Sequence, residues 1–260
     1  MLKYSKIISL RSYAILVSIL ILSSCATRKE VVYFQDAQAF ETIVSKNTSI
    51  NRFKVDDVVS INVSTLDPQA SAAFNLFKGA QEGGIRPEQL DYIIDKNGEI
   101  DFPVLGNVKL LGLSPNEAKA LLADRLKEYL KDPIINIRLK NFTVTVLGAV
   151  NRPGTYPIGS EQVTILEAIG LAGDLNIKGI RENIMVIRDF DGTKVYTRID
   201  LTKKEALNSP VYYLTQNDVV YVEPNKSLIT ASSLDNRATI AISIASVLIT
   251  SSVLLYTRNN

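Results

Sequence analysis

The stretch DYIIDKNGEIDFPVLGNV, residues 91–108, sets an Asn97-Gly98 pair between Tyr92, Ile93 and Ile94 on one side and Ile100 and Phe102 on the other. A two-residue type I′ turn needs positive φ at both central residues, which Asn-Gly tolerates, so the stretch predicts a β-hairpin. Downstream, Ser114-Pro115-Asn116-Glu117 is a capping box with proline at the first helical position. The helix it starts buries Ala118, Leu122, Leu126, Tyr129 and Leu130 and stops before Pro133, because the residue ahead of a proline is pushed out of the helical region. Upstream, Asp56-Asp57 is a turn that delivers Val59, Ile61 and Val63, alternating with Ser60, Asn62 and Ser64. Ile135, Ile137 and Leu139 alternate in the same way after the helix, so strands with one buried face flank it. Between the first strand and the hairpin, Leu66 to Gln89 carries Pro68, Gly79, Gly83, Gly84 and Pro87 and reads as an irregular excursion.

A second unit begins with Phe142, Val144 and Val146. Asn151-Arg152-Pro153-Gly154 is a turn in which Pro fixes φ and Gly is free to take positive φ. Thr164 and Glu167 form a second capping box, with Ile165, Ala168, Ile169 and Ala172 facing inward and Gly170 and Gly173 loosening the end. Ile184 to Phe190 and Thr193 to Ile199 pair across Asp191-Gly192, and Gln216-Asn217-Asp218 turns into the strand Val219 to Val222. Asp57-Val58-Val59 and Asp218-Val219-Val220 echo each other as a shared turn-and-strand device rather than a sequence repeat. The fold class is therefore α+β, in two small modules.

Composition narrows the chemistry. The 260 residues are 46% apolar and 22% charged, so the body is globular. With no His and one Cys, histidine acid/base chemistry, Cys-His nucleophile pairs, zinc clusters and intrachain disulfides are excluded, and no cofactor or metal is expected. The formal charge of +2 includes Lys3, Lys6 and Arg11, which lie ahead of any acidic residue; without them it is −1, which gives no nucleic-acid footprint.

Those three cations precede an apolar run from Tyr13 to Leu22 and then Ser23, Ser24 and Cys25, the layout of a secretory signal. Leu22-Ser23-Ser24-Cys25 resembles a bacterial lipobox, which implies lipidation at Cys25, and Ala26 after it fits outer-membrane sorting. Residues 26 to about 49 have weak periodicity and read as a tether. At the other end, Ala238 to Tyr256 carries no charge and is expected to be a transmembrane helix. Thr239, Ser243, Ser246 and Thr250 fall on one narrow stripe of it. Two readings of that stripe stand open: the hydroxyls line a wet lumen shared by several copies, or they let one helix approach another while bonding to their own i−4 carbonyls.

Together these residues resemble the bacterial polysaccharide export family of outer-membrane lipoproteins. The likeness runs through Phe53 to Val63, residues 91–108 and the Leu113 to Pro133 helix for the export module. From Val144 through Gly173 it is to the SLBB β-grasp module. The resemblance divides the chain into a signal peptide (1–24), lipidated tether (25–49), export module (50–141), SLBB-like module (142–223), linker (224–237) and transmembrane helix (238–256). It implies a lipid-anchored homo-oligomeric ring with its body in the periplasm, passing capsular or exopolysaccharide and working with an inner-membrane polysaccharide copolymerase. On that footing the four hydroxyl residues are pore-lining. Asp56 departs from the family, which places Gly in a Gly-Asp turn there, and one SLBB-like unit is found rather than two.

Rival readings remain. A passive conduit needs no catalytic constellation, only a wide hydrated lumen. A periplasmic glycan-binding or adaptor lipoprotein would use the C-terminal helix only as an anchor or partner surface. A carboxylate-pair glycosidase would have Asp95, Glu99 and Asp101 as its nearest cluster, but acids flanking an Asn-Gly turn are ordinarily solvated turn residues, and the chain is read as no enzyme. Tyr212, Tyr213 and Tyr221 could stack on sugars, although strand tyrosines commonly pack against a sheet.

Overall fold

The computed structural model describes residues 31–44, 50–77, 89–190, 192–226 and 236–258, with the side chains of 236–239 and 256 left aside. Cys25, the expected signal segment and Asp191 lie outside the described residues. The first module carries β1 (Val58–Ser64), α1 (Pro68–Ala72), β2 (Tyr92–Ile93), β3 (Glu99–Phe102), β4 (Gly106–Lys109), α2 (Pro115–Leu126) and β5 (Ile134–Leu139). β1 is the centre of an antiparallel sheet in the order β2-β1-β5, and it pairs with β5 from Val59↔Leu139 to Ser64↔Ile134. The alternation of Val59, Ile61 and Val63 with polar residues is the reason, since that face closes on Ile94, Phe102, Leu110, Leu122 and Leu126.

Residues 91–108 fold differently from the simple hairpin. β2 pairs with β1, β3 pairs with β4, and the turn between β2 and β3 is closed by the Asp95 N–H donating to the Glu99 carbonyl at 2.9 Å. Of the central pair only Gly98 has positive φ (+80°), so the turn is not type I′. The Asp95 carboxylate accepts the N–H groups of Asn97 and Glu99 at 2.9 and 2.8 Å and sets the turn. The Gly98 carbonyl then accepts from Leu110 and Leu111, which commits the chain after it to β4. A Cβ at Gly98 would stand 2.3 Å from that of Leu111, so the position admits no side chain.

Both capping boxes form with their reciprocal bonds, Ser114 with Glu117 and Thr164 with Glu167. α2 buries Ala118, Leu122 and Leu126 and ends there, six residues short of Asp132. Tyr129 is a correction: beyond the helix end it is 53% exposed, its ring tilted against Phe74 at 6.1 Å. Within the expected irregular excursion, Asp67 caps the short α1.

The second module carries β6 (Thr143–Gly148), β7 (Gly154–Pro157), β8 (Val163–Thr164), α3 (Ile165–Leu171), β9 (Gly179–Phe190), β10 (Thr193–Ile199), a 3-10 helix (Lys204–Asn208), β11 (Tyr213–Leu214) and β12 (Val219–Pro224). Five strands form a mixed sheet in the order β10-β9-β12-β6-β7, with β12 and β6 parallel. The β9–β10 hairpin runs from Phe190↔Thr193 to Ile184↔Ile199 as expected. Val144, Val146, Ile184, Val186, Val220 and Val222 of one sheet face are buried with Ile165, Ala168 and Ile169 of α3. Gly154 lies extended in β7, not at positive φ, because the turn's reversal is completed before it. Leu139 packs against both cores.

The segment expected as a tether is partly a strap. Phe34 and Gln35 donate their N–H groups to the carbonyls of Leu201 and Thr202 at 3.1 and 2.7 Å. The Tyr33 hydroxyl donates to Asp174 at 2.5 Å, and the buried Arg181 guanidinium lies 5.3 Å from the Tyr33 ring centre. Burial and the Asp174 carboxylate push the Tyr33 phenol well above its ordinary pKa. Weak periodicity missed this because the strap is held by individual bonds and by two adjacent aromatic side chains, Tyr33 and Phe34, packed on the second core, rather than by a repeating apolar face.

α4 (Asn236–Arg258) forms where a helix was expected. Among the described residues, no helix is long and apolar enough to cross a membrane, which corrects the transmembrane helix expected over 238–256. The described side chains of α4 are those of residues 240–255, 257 and 258. Ser243, Ser246, Thr250, Ser251 and Ser252 dilute the aliphatic side chains among them.

Candidate functional site

The two modules meet at residues 140–143, and two aspartate turns clamp that junction. Asn141 accepts the Val58 N–H through Oδ1 at 2.9 Å and donates through Nδ2 to the Asp56 carbonyl at 3.1 Å. From the other side, Gln216 donates to the Asn141 carbonyl at 2.6 Å and accepts the Thr143 N–H at 2.8 Å. Lys54 crosses the junction to the carbonyls of Asp189 and Gln216 at 3.2 and 3.4 Å, and the Asn51 amide donates to the Glu161 carbonyl at 2.8 Å. With this many direct bonds, the modules are held in one orientation rather than hung on a free linker.

Beside the junction, a cleft of about 470 Å3 opens between the edge of β5 and residues 158–161. Its floor is apolar, made by Phe53, Phe142 and Ile158, all buried. Its rim is polar: Asn51, Arg52, Arg138, Lys140 and Glu161. Arg52 is paired to Glu117 at 2.8 Å, a half-exposed pair that water screens. The Asn51 Oδ1 atom is buried without a hydrogen-bond partner among the described residues. Sequence reasoning missed this cleft; the only signal was the polar alternation of Arg138 and Lys140 along β5, which reads equally as a solvated face.

Two buried carboxylates shape the junction's electrostatics. Asp57 accepts the Lys54 N–H at 2.9 Å and is almost wholly buried. Desolvation outweighs that bond and raises its pKa from 3.8 to about 6. Asp218 is also buried, but Arg188 grips it through Nε and Nη2, at 2.7 Å for the closest contact, while Thr215 donates both its N–H and its hydroxyl.

The residues singled out from sequence fall in separate places. Cys25 is outside the described residues, and the side chain of Thr239 is not described. Ser243, Ser246 and Thr250 do share one face of α4. The Ser246 hydroxyl donates to the Ser243 carbonyl at 2.8 Å and that of Thr250 to the Ser246 carbonyl at 2.7 Å. The aliphatic faces pack on nothing among the described residues; Ile242 is 69% and Ile249 65% exposed. Asp95 serves its own turn, apart from the junction cleft. Tyr212 packs against the second core with its ring edge-on to Tyr213 at 5.4 Å, and Tyr221 lies in β12 opposite Met185 and Leu147. Among the described residues no three His, Cys, Asp or Glu side chains converge to hold a metal ion.

Comparison with known proteins gives the arrangement a lineage. A family model described as polysaccharide biosynthesis/export protein matches residues 45–140, and an SLBB domain model matches residues 143–222. The boundary between the two models falls on the clamped junction. The chain is 26% identical over 144 residues to an EPS I polysaccharide export outer membrane protein, EpsA, of Ralstonia solanacearum, a match covering 54% of this chain and 38% of that protein. Its counterpart in Ralstonia nicotianae is 28% identical over 145 residues, covering 54% and 37%. The chain thus matches well under half the length of these relatives. Two α+β modules in this order, each matched by its own model and joined where those models meet, place the chain in the polysaccharide biosynthesis/export protein family, with an SLBB domain following the export module.

Proposed function

We propose that this protein is a subunit of a passive, homo-oligomeric conduit for capsular or exopolysaccharide at the outer membrane. The observation that carries the reading is the ordered pair of family modules, supported by relatives named for polysaccharide export at that membrane. In this reading the copies form a ring with their bodies in the periplasm. Cys25 carries the lipid anchor, and an inner-membrane polysaccharide copolymerase delivers the chain. The aliphatic faces of α4, which find no cover among the described residues, pack against the α4 helices of sister copies. Thr239, Ser243, Ser246 and Thr250 then face the shared axis, where a hydrated, weakly binding lining suits a sliding polymer.

The test is the double substitution Ser243→Leu with Ser246→Leu. Surface polysaccharide is expected to fall at least tenfold in a complemented deletion strain, with processing at Cys25 and the soluble fold unchanged. Unchanged surface polysaccharide removes the lining assignment. A second reading has a specific observation in its favour: because Ser246 and Thr250 bond to their own helix, the stripe also suits close packing without a lumen, as in a glycan-binding or adaptor lipoprotein. Single-particle images that show rings, together with polysaccharide flux in liposomes, favour the conduit; glycan binding with no flux from assembled rings favours the adaptor.

A further inference from the structure

We propose that the cleft at the module junction is a binding site for an anionic sugar segment, of the kind that carries uronate carboxylates. This deepens the export reading, on which it rests for the source of such a chain. Three features converge on that chemistry. Arg138 and Lys140 project from the exposed alternation at the end of β5, line the cleft, and make no ion pair among the described residues. Their charges therefore await an acceptor, and exposed lysine and arginine of this kind recognise carboxylates well. Next, Asn51 lines the cleft and its buried Oδ1 atom has no donor among the described residues, a donor that a sugar hydroxyl can supply. Asn51 itself is fixed by its amide bond to Glu161, so the acceptor is preorganised.

The third feature is the floor. Phe142 and Ile158, both largely buried, line the cleft beneath a polar rim and keep its base apolar. A pyranose has the same division, with C–H faces above and below and hydroxyls around its edge. At about 470 Å3 the cleft falls within the range of small-ligand pockets, roughly 300–1,000 Å3. A neutral sugar would leave Arg138 and Lys140 unanswered, whereas a uronate answers both the cations and the orphan acceptor. Among the described residues Glu161 is the single acid on the rim and opposes the cations only in part. The site is formed by both modules, so neither alone completes it.

Full-length protein in detergent is titrated calorimetrically with tetragalacturonate, and with maltotetraose as a neutral chain of equal length. Tetragalacturonate is expected to bind at least tenfold more tightly, with affinity falling as salt rises. The pair Arg138→Gln and Lys140→Gln is expected to weaken it at least tenfold. Glu161→Gln keeps the backbone carbonyl that holds Asn51 and is expected to strengthen it about threefold, a gain that misfolding cannot mimic. Absence of tetragalacturonate binding, equal affinity for maltotetraose, or undiminished binding in the double variant overturns the site. Export is read separately, as surface polysaccharide in a strain lacking the protein. Binding without any export defect leaves the site and removes the export reading; an export defect without binding does the reverse.

Discussion

The turn into β1 and the turn into β12 are built alike and balanced differently. In each, a residue in the left-handed region, Asp56 (φ +67°) or Asn217 (φ +66°), precedes a buried aspartate. In each, that aspartate accepts the N–H of the residue three positions back, Lys54 or Thr215, at 2.9 and 2.8 Å. Only Asp218 has a buried counter-charge, in Arg188. The same local device therefore yields a locked ion pair in the second module and a titratable carboxyl in the first. Local sequence sets the geometry of such a turn, but the charge state of its aspartate depends on what the rest of the fold brings to it.

The comparison can be broken most severely at Arg188. Arg188→Met leaves Asp218 buried and uncompensated, and urea unfolding should show a loss of about 3–5 kcal/mol. Peptide-resolved hydrogen exchange is expected to place that loss in β9, β11 and β12 and to leave β1 protected.

A smaller effect follows from pH. The pKa of Asp57 rises on folding from 3.8 to about 6, so the folded state holds the proton more tightly. Its contribution is full below about pH 3.8 and is lost as pH climbs through 6, up to about 3 kcal/mol in total. The difference in urea stability between the protein and Asp57→Asn, followed from pH 4 to 7, should show that slope; a flat difference would refute the burial argument. The smallest effect is expected at Asp56→Gly, since glycine takes the left-handed conformation of this position without strain. It relieves the left-handed strain and removes a like charge beside Asp57, so a gain of roughly 0.5 kcal/mol is expected in the same assay.

Much of this was legible because it is local. Ser114 with Glu117 and Thr164 with Glu167 satisfy helix N-termini over three residues, and β9 and β10 pair from Phe190 and Thr193 over neighbouring stretches of chain, so no distant partner can alter them greatly. The stretch 91–108 shows where legibility fails. Its apolar alternation and its turn were visible, but β2 found β1 and β3 found β4, because Gly98 offers its carbonyl to Leu110 and Leu111 rather than to a register across its own turn. The cleft was hidden for a related reason. Asn51, Arg138 and Glu161 are far apart in the chain, and each alone reads as an ordinary polar surface residue.

By itself the sequence determined β1, β5, the two helices with capping boxes, the pairing of β9 with β10, the two aspartate turns and the order of two α+β modules, since each follows from short-range sterics and hydrogen bonding. Only the tertiary structure decided which strands pair, that residues 33–36 strap onto the second module, that Asp57 lacks the cation Asp218 has, and that a cleft stands at the junction. Those outcomes depend on groups brought together across many tens of residues. Which of them meet is settled by burying two cores at once, a condition no local window of sequence contains.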